Sequence, residues 1–197
     1  MHESKEQKIN WILQNSLKVL AEKGYDNATI ADISKASNVS RGILHYYFSD
    51  KEDLVSKALA VSSSNIIQST LEGLQGKTPE DMVDNVIKAS SASLEKHPDF
   101  YAFLFEMWCA SRRNGKIKKE LINCSEKVSD AIRKSLDDAI QNGSLGINPN
   151  NSKEISKAIL ALHDGIAFEM LINPSENLKD KRFWEPIRNM LLSVLKI

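Results

Sequence analysis

Between Ser40 and Tyr47 the chain gathers a guanidinium, an imidazole, two phenols and a bare backbone position, at Arg41, His45, Tyr46, Tyr47 and Gly42. On a helix capped by Ser40, Ile43 and Leu44 take the buried side and leave Arg41, Gly42, His45 and Tyr46 facing outward. Such a face is chemically odd for a helix that is merely solvated. Its groups are those that read base edges and phosphates in the major groove of DNA.

The elements around this helix position it. Thr29 caps a helix of about two turns, with Asp32 three residues on and Ile30, Ile33 and Ala36 recurring on one face. Ser37, Asn38 and Val39 then break the pattern, and Asn38 tolerates the left-handed backbone that a turn between crossed helices requires. Upstream, Glu3 to Lys23 reads as an amphipathic helix with Ile9, Ile12, Leu13, Leu17 and Leu20 on its stripe and Gly24 as its cap. Downstream, Ser49 and Glu52 form a capping box for a long helix running to about Leu74. In such a frame Thr29, Tyr47 and Lys51 sit where backbone phosphates are held, and Arg41, His45 and Tyr46 where bases are read.

The run Thr29, Ala31, Ile33, Ala36, Val39, Ser40, Gly42, Leu44, Tyr47, Phe48, Lys51, Glu52 and Leu54 resembles the helix-turn-helix of the TetR family of bacterial transcriptional regulators. Asn38 stands where that family usually has a glycine, and His45 where a tyrosine is commoner. The resemblance implies an all-α chain, with a three-helix helix-turn-helix DNA-binding domain over residues 1–52 and a larger helical ligand-binding and dimerisation domain over 53–197.

Bulk charge adds little, because 26 Lys and Arg face 26 Asp and Glu. The first 51 residues hold seven positive against six negative side chains. Motif order, not a basic excess, carries the DNA reading, and modest nonspecific affinity with strong salt dependence is expected. Cys109 and Cys124 lie far apart with no CxxC and read as ordinary buried thiols. The polar start MHESKEQK is unlike a signal peptide and no apolar run is long enough to span a membrane, so a cytoplasmic protein is expected. No nucleophile elbow, P-loop, metal-ligand pair or dinucleotide fingerprint occurs, so neither an enzyme, a metal nor a cofactor is expected.

Further along, Thr78 and Pro79 open a helix that His97 and Pro98 end, and the apolar window Phe100 to Ala110 follows. A helix from about Lys116 to Gln141, a turn region to Asn151, a helix capped by Ser152 through Ile172, and a last helix from near Trp184 complete the chain. The last two helices carry wide apolar faces. Ile159, Ile166, Ile187, Leu191 and Val194 are expected at a four-helix homodimer interface, with Gly165 allowing close approach, since one helix-turn-helix reads too few base pairs alone. The resemblance further implies a small-molecule pocket. Phe100, Phe103, Met107 and Trp108, with His163, Phe168 and Met170, are its candidate lining, for an apolar or aromatic inducer of a repressor on a palindromic operator. A TetR-like activator is the alternative, as is an all-α small-molecule-binding or catalytic protein using His163, Asp164 and Glu169.

Overall fold

The computed structural model describes residues 4–73, 76–173 and 180–195. Among them are nine α-helices and no strand: α1 (Lys5–Asn27), α2 (Ile30–Ser37), α3 (Arg41–Tyr47), α4 (Lys51–Gly73), α5 (Pro79–Lys96), α6 (Pro98–Ser111), α7 (Gly115–Gln141), α8 (Ser152–Ile172) and α9 (Lys181–Leu195). The expected start of α1 at Glu3 and end of α4 at Leu74 lie outside the described residues. Two compact units form, one from residues 1–63 with 99–124, the other from 64–98 with 125–197.

In the first unit, Ser4 caps α1 in a reciprocal box with Gln7, and the regular helix stops at Gly24, whose φ of 74° suits a glycine. Ile12, Leu20, Ile33, Leu44, Leu54 and Leu59 are fully buried and knit α1 to α4 together. Phe103 and Met107 of α6 and Ile117 of α7 are equally buried in this unit. Ala36, expected on the apolar face of α2, is exposed; the inward position is Ser37, whose hydroxyl is satisfied by the Ile33 carbonyl at 2.6 Å.

The start of α4 also differs from the capping box expected of Ser49 and Glu52. Asp50 accepts from the Asp53 N–H at 2.7 Å, and Asp53 reaches back to the Ser49 N–H at 3.0 Å. Glu52 is drawn elsewhere, accepting from the Tyr25 hydroxyl at 3.1 Å. Burial and this carboxylate push the Tyr25 phenol up to about 12.

In the second unit the core is built from Met82, Val83, Ile132, Leu136, Leu145, Ile147, Leu191 and Leu195. Ser129 and Ser156, both buried, share a 2.9 Å hydrogen bond between α7 and α8. Arg188 pairs with Asp84 at 2.6 Å, tying α9 to α5. Ser152 is the first residue of α8, not its cap: its hydroxyl donates to the Pro149 carbonyl of the 3-10 turn Pro149–Asn151. The last helix starts a turn earlier than expected, because Asp180 accepts from the Arg182 N–H at 2.9 Å; Pro186 therefore lies inside it.

Candidate nucleic-acid interface

The α2–α3 turn is fixed from three directions. Asn38 adopts φ 53° and ψ 43°, the left-handed conformation expected of it. The Trp11 indole N–H donates to the Ser37 carbonyl at 2.9 Å, and the Ser34 hydroxyl to the Val39 carbonyl at 2.6 Å. Ser40 then accepts from the Ile43 N–H at 3.3 Å and starts α3. Only two short turns of helix follow, held by Leu44 in the core.

Arg41, Gly42, His45 and Tyr46 are all exposed, Tyr46 to 74%. Arg41 and His45, like Gly42 and Tyr46, are four residues apart and form two adjacent rows on one face. At Gly42 an added Cβ would meet nothing nearer than Ser40 Oγ at 3.8 Å. The protein's own packing therefore does not require glycine there; bareness matters only to something approaching from outside.

The expected phosphate contacts look different in detail. Thr29 is exposed, but its hydroxyl donates to Asp32 at 2.7 Å within the α2 cap, so the proton a phosphate would use is already engaged. Lys23 also pairs with Asp32 at 2.6 Å, and these bonds hold that carboxyl well below the usual carboxylate range. Lys51 turns inward: its ammonium donates to the Tyr25 carbonyl and lies 4.3 Å from the Tyr25 ring centroid, and burial lowers its pKa. Tyr47 is half-buried, edge-on to Tyr46 at 5.0 Å. A cation that sequence reasoning missed is Lys5, whose Nζ lies 5.9 Å from the ring centroids of both Tyr46 and Tyr47. No local signal links the first turn of α1 to α3; only the tertiary crossing does.

The residues expected to line a ligand pocket belong to both units. In the first, Phe100, Phe103 and Met107 are buried, while Trp108 is 40% exposed and stands edge-on to Phe105 at 4.9 Å. In the second, Phe168 is 50% exposed, Met170 half-buried and Glu169 exposed. His163 Nδ1 lies 3.3 Å from Ser90 Oγ, beside a crevice lined by Leu162, Ile166, Trp184 and Leu191. The crevice encloses about 20 Å³, room for one water at most. The unit's larger cleft, about 530 Å³, is a groove beside Arg133, Asp137, Asn150 and Lys153.

Burial depresses His163 to about 4 and raises Asp164 to about 6. The neutral forms are favoured at both positions, with opposite consequences for stability. The depressed histidine contributes stability that is present above its ordinary value of 6.5 and lost as pH falls through about 4. The raised carboxyl contributes stability that is present below its ordinary 3.8 and lost as pH rises through about 6. Near neutral pH Asp164 is ionised at a cost of about 3 kcal/mol. Asp164→Asn should therefore raise the urea midpoint at neutral pH, and the gain should disappear below the ordinary carboxyl pKa. Paired denaturation curves at acidic and neutral pH check this.

The dimer-interface expectations also meet specific surroundings. Ile166 and Leu191 are 9% and 8% exposed, and Ile159 and Ile187 pack with Leu191 on the unit's own core; Val194 is half-buried. The large apolar side chains that α8 and α9 leave exposed are different ones: Phe168 at 50%, Leu171 at 37% and Ile172 at 62% on α8, and Met190 at 47% on α9. Gly165 faces the same way as Phe168 and Ile172, and an added Cβ there would meet nothing within 4 Å.

Comparison with known proteins agrees with this geometry. Residues 12–58 match the family described as bacterial regulatory proteins, tetR family. Over 103 residues the chain is 31% identical to the HTH-type transcriptional regulator YvdT of Bacillus subtilis, covering 50% of this chain and 51% of that protein. It is 26% identical over 148 residues to IcaR of Staphylococcus aureus, a negative transcriptional regulator of the biofilm operon icaADBC, covering 74% and 66%. The chain thus spans about half to two thirds of the length of these relatives. GusR of Salmonella enterica superposes with a TM-score of 0.85 at 22% identity, over 98% of each chain, and so shares the fold. Residues 12–58, which build the helix-turn-helix, thus match the tetR family of bacterial regulatory proteins, and over that stretch the chain is similar to its members.

Proposed function

We propose that this protein is a transcriptional repressor that binds a palindromic operator as a homodimer and is released by a small molecule. The observation that carries the reading is the outward face of α3, where Arg41, His45 and Tyr46 surround a glycine that packing leaves open. Arg41 and His45 can donate to base edges, Tyr46 can give and accept, and Gly42 lets the helix backbone approach the groove floor. Ser40 and Lys5 supply phosphate contacts, with Tyr47 beside them; Thr29 and Lys51 act by bracing the motif. Repression rather than activation is favoured by the likeness to IcaR, a negative regulator.

Two copies would place their α3 helices in successive major grooves, roughly 34–36 Å apart. The open stripe of Gly165, Phe168 and Ile172 on α8, together with the exposed Met190 on α9, is the surface through which two copies would pair. For release, a mostly apolar ligand with one polar group suits the second unit, where His163 and Ser90 border apolar side chains. It would have to open a crevice of about 20 Å³, and its preference for that opened state would set its power to shift DNA affinity.

Gly42→Ala separates the fold from the function. The substitution should stabilise α3 by up to about 1 kcal/mol, since alanine is the better helix former. It should also weaken binding to DNA fragments retained by the wild type by about ten- to a hundredfold, the scale of one lost base contact. A variant that is more stable and binds those fragments normally would remove α3 from the interface.

A further inference from the structure

The positive charge of the first unit does not lie in its helix-turn-helix. Residues 1–63 carry eight Lys and Arg against eight Asp and Glu, whereas residues 99–124 carry five against three. All five occur in the run SRRNGKIKK at the α6–α7 turn, and Arg112, Arg113, Lys116, Lys118 and Lys119 are all exposed.

This turn is firmly placed beside the DNA motif. Arg113 pairs with Asp26 at 2.5 Å, and Asp26 precedes the Thr29 cap of α2 by three residues. Lys116 pairs with Asp50 at 3.8 Å, and Asp50 lies between the end of α3 at Tyr47 and the first residue of α4. Asn114 fastens the turn itself. Its Oδ1 accepts from the N–H groups of Lys116 and Ile117 at 3.0 and 3.1 Å, and its Nδ2 donates to Tyr25 Oη at 3.2 Å and Glu52 at 3.4 Å.

Stability gives no reason for the charge. Lys116, Lys118 and Lys119 lie within the first five residues of α7, where the helix dipole disfavours cations; the first turn holds no acidic residue, and of the three only Lys116 has an ion-pair partner, Asp50. Arg112, Lys118 and Lys119 form no ion pair among the described residues. Like charges held together at a cost are expected where a polyanion neutralises them.

We infer that the α6–α7 turn is a second DNA-contact element, in which Lys118 and Lys119, with Arg112, hold backbone phosphates of the duplex flanking the half-site read by α3. The inference rests on the DNA-binding reading above. Duplex DNA is the polyanion the geometry favours, because the run belongs to the same compact unit as α3 and is anchored by ion pairs to the segments on either side of the α2–α3 motif. An acidic protein partner would be expected to add an apolar centre to the charged rim, whereas the surface of the run alternates its cations with Ser111, Asn114 and Gly115, and its one apolar residue, Ile117, is fully buried.

The test compares Lys118→Gln/Lys119→Gln with a control of equal charge change in the second unit, Lys153→Gln/Lys157→Gln. None of these four side chains is in an ion pair among the described residues, so the fold should survive both changes. Binding to a random-sequence duplex several helical turns long is followed by anisotropy across a salt series. The first variant should lower the slope of log affinity against log salt by about 1.8 per bound protomer, and the control should keep the wild-type slope. On a retained fragment trimmed to its two half-sites, wild type and first variant should bind alike. A wild-type slope in Lys118→Gln/Lys119→Gln, or an equal fall in the control, would overturn the inference while leaving the DNA reading intact. Wild-type protein that binds no duplex in a salt-dependent way would bring down that reading and the inference with it.

Discussion

Ile172→Glu should convert the protein to a monomer and reduce its affinity for a palindromic DNA fragment by about 10² to 10⁴-fold, the usual gain from linking two sites. Ile172 is 62% exposed and lies on one stripe of α8 with Phe168 and Gly165, while Met190 of α9 is 47% exposed. A charge at the C-terminal end of that stripe would be desolvated on pairing with nothing to neutralise it. The folded chain should tolerate it, since Ile172 faces away from the core that Leu191 and Leu195 join. Sedimentation or light scattering gives the oligomeric state and circular dichroism the fold. The companion variant Leu191→Glu should instead unfold the second unit, because Leu191 is 8% exposed within that core. If Ile172→Glu stays dimeric, the pairing surface lies elsewhere.

Arg41→Ala should relax preference at a single base pair in each half-site, costing about 1–3 kcal/mol there and little at the others. Lys5→Ala should weaken all sequences alike and lower the salt slope by about one unit, as the loss of a phosphate contact does. The contrast follows from placement. Arg41 opens the exposed face of α3, whereas Lys5 hangs from the first turn of α1 over the flanking tyrosines. Lys51→Ala, by comparison, should act mainly on stability, because its ammonium is committed to the Tyr25 carbonyl and ring. Affinity measured across a set of single-base operator variants, with a urea titration of each protein, separates the three.

Much of the DNA-binding motif was legible because its determinants are local. Thr29 and Ser40 act as caps, Asn38 takes the left-handed turn, and the outward positions of α3 follow from where Ile43 and Leu44 must go. What sequence could not show depends on partners far along the chain. Glu52 abandons the expected capping box for a hydroxyl that arrives from Tyr25, and Lys51 is captured by the same residue. Helical periodicity found two apolar stripes on α8 but could not say which one its own unit would consume. Ile159 and Ile166 turn to the core; Phe168 and Ile172 stay outside. The aromatic window forms α6, yet the union of residues 99–124 with the first 63 in one compact unit has no local signature.

The central claim is that α3 reads a two-fold symmetric DNA sequence. Its most direct measurement is to sequence the fragments that the purified protein retains from a random duplex pool, in parallel with the His45→Ala and Arg41→Ala variants. Retained fragments should share an inverted repeat whose half-sites are centred about 10–10.5 bp, or a multiple of this, apart. Each variant should lose information at particular positions of that repeat. Fragments with no common sequence, or a repeat that survives both substitutions unchanged, would contradict the assignment of α3 as the reading helix.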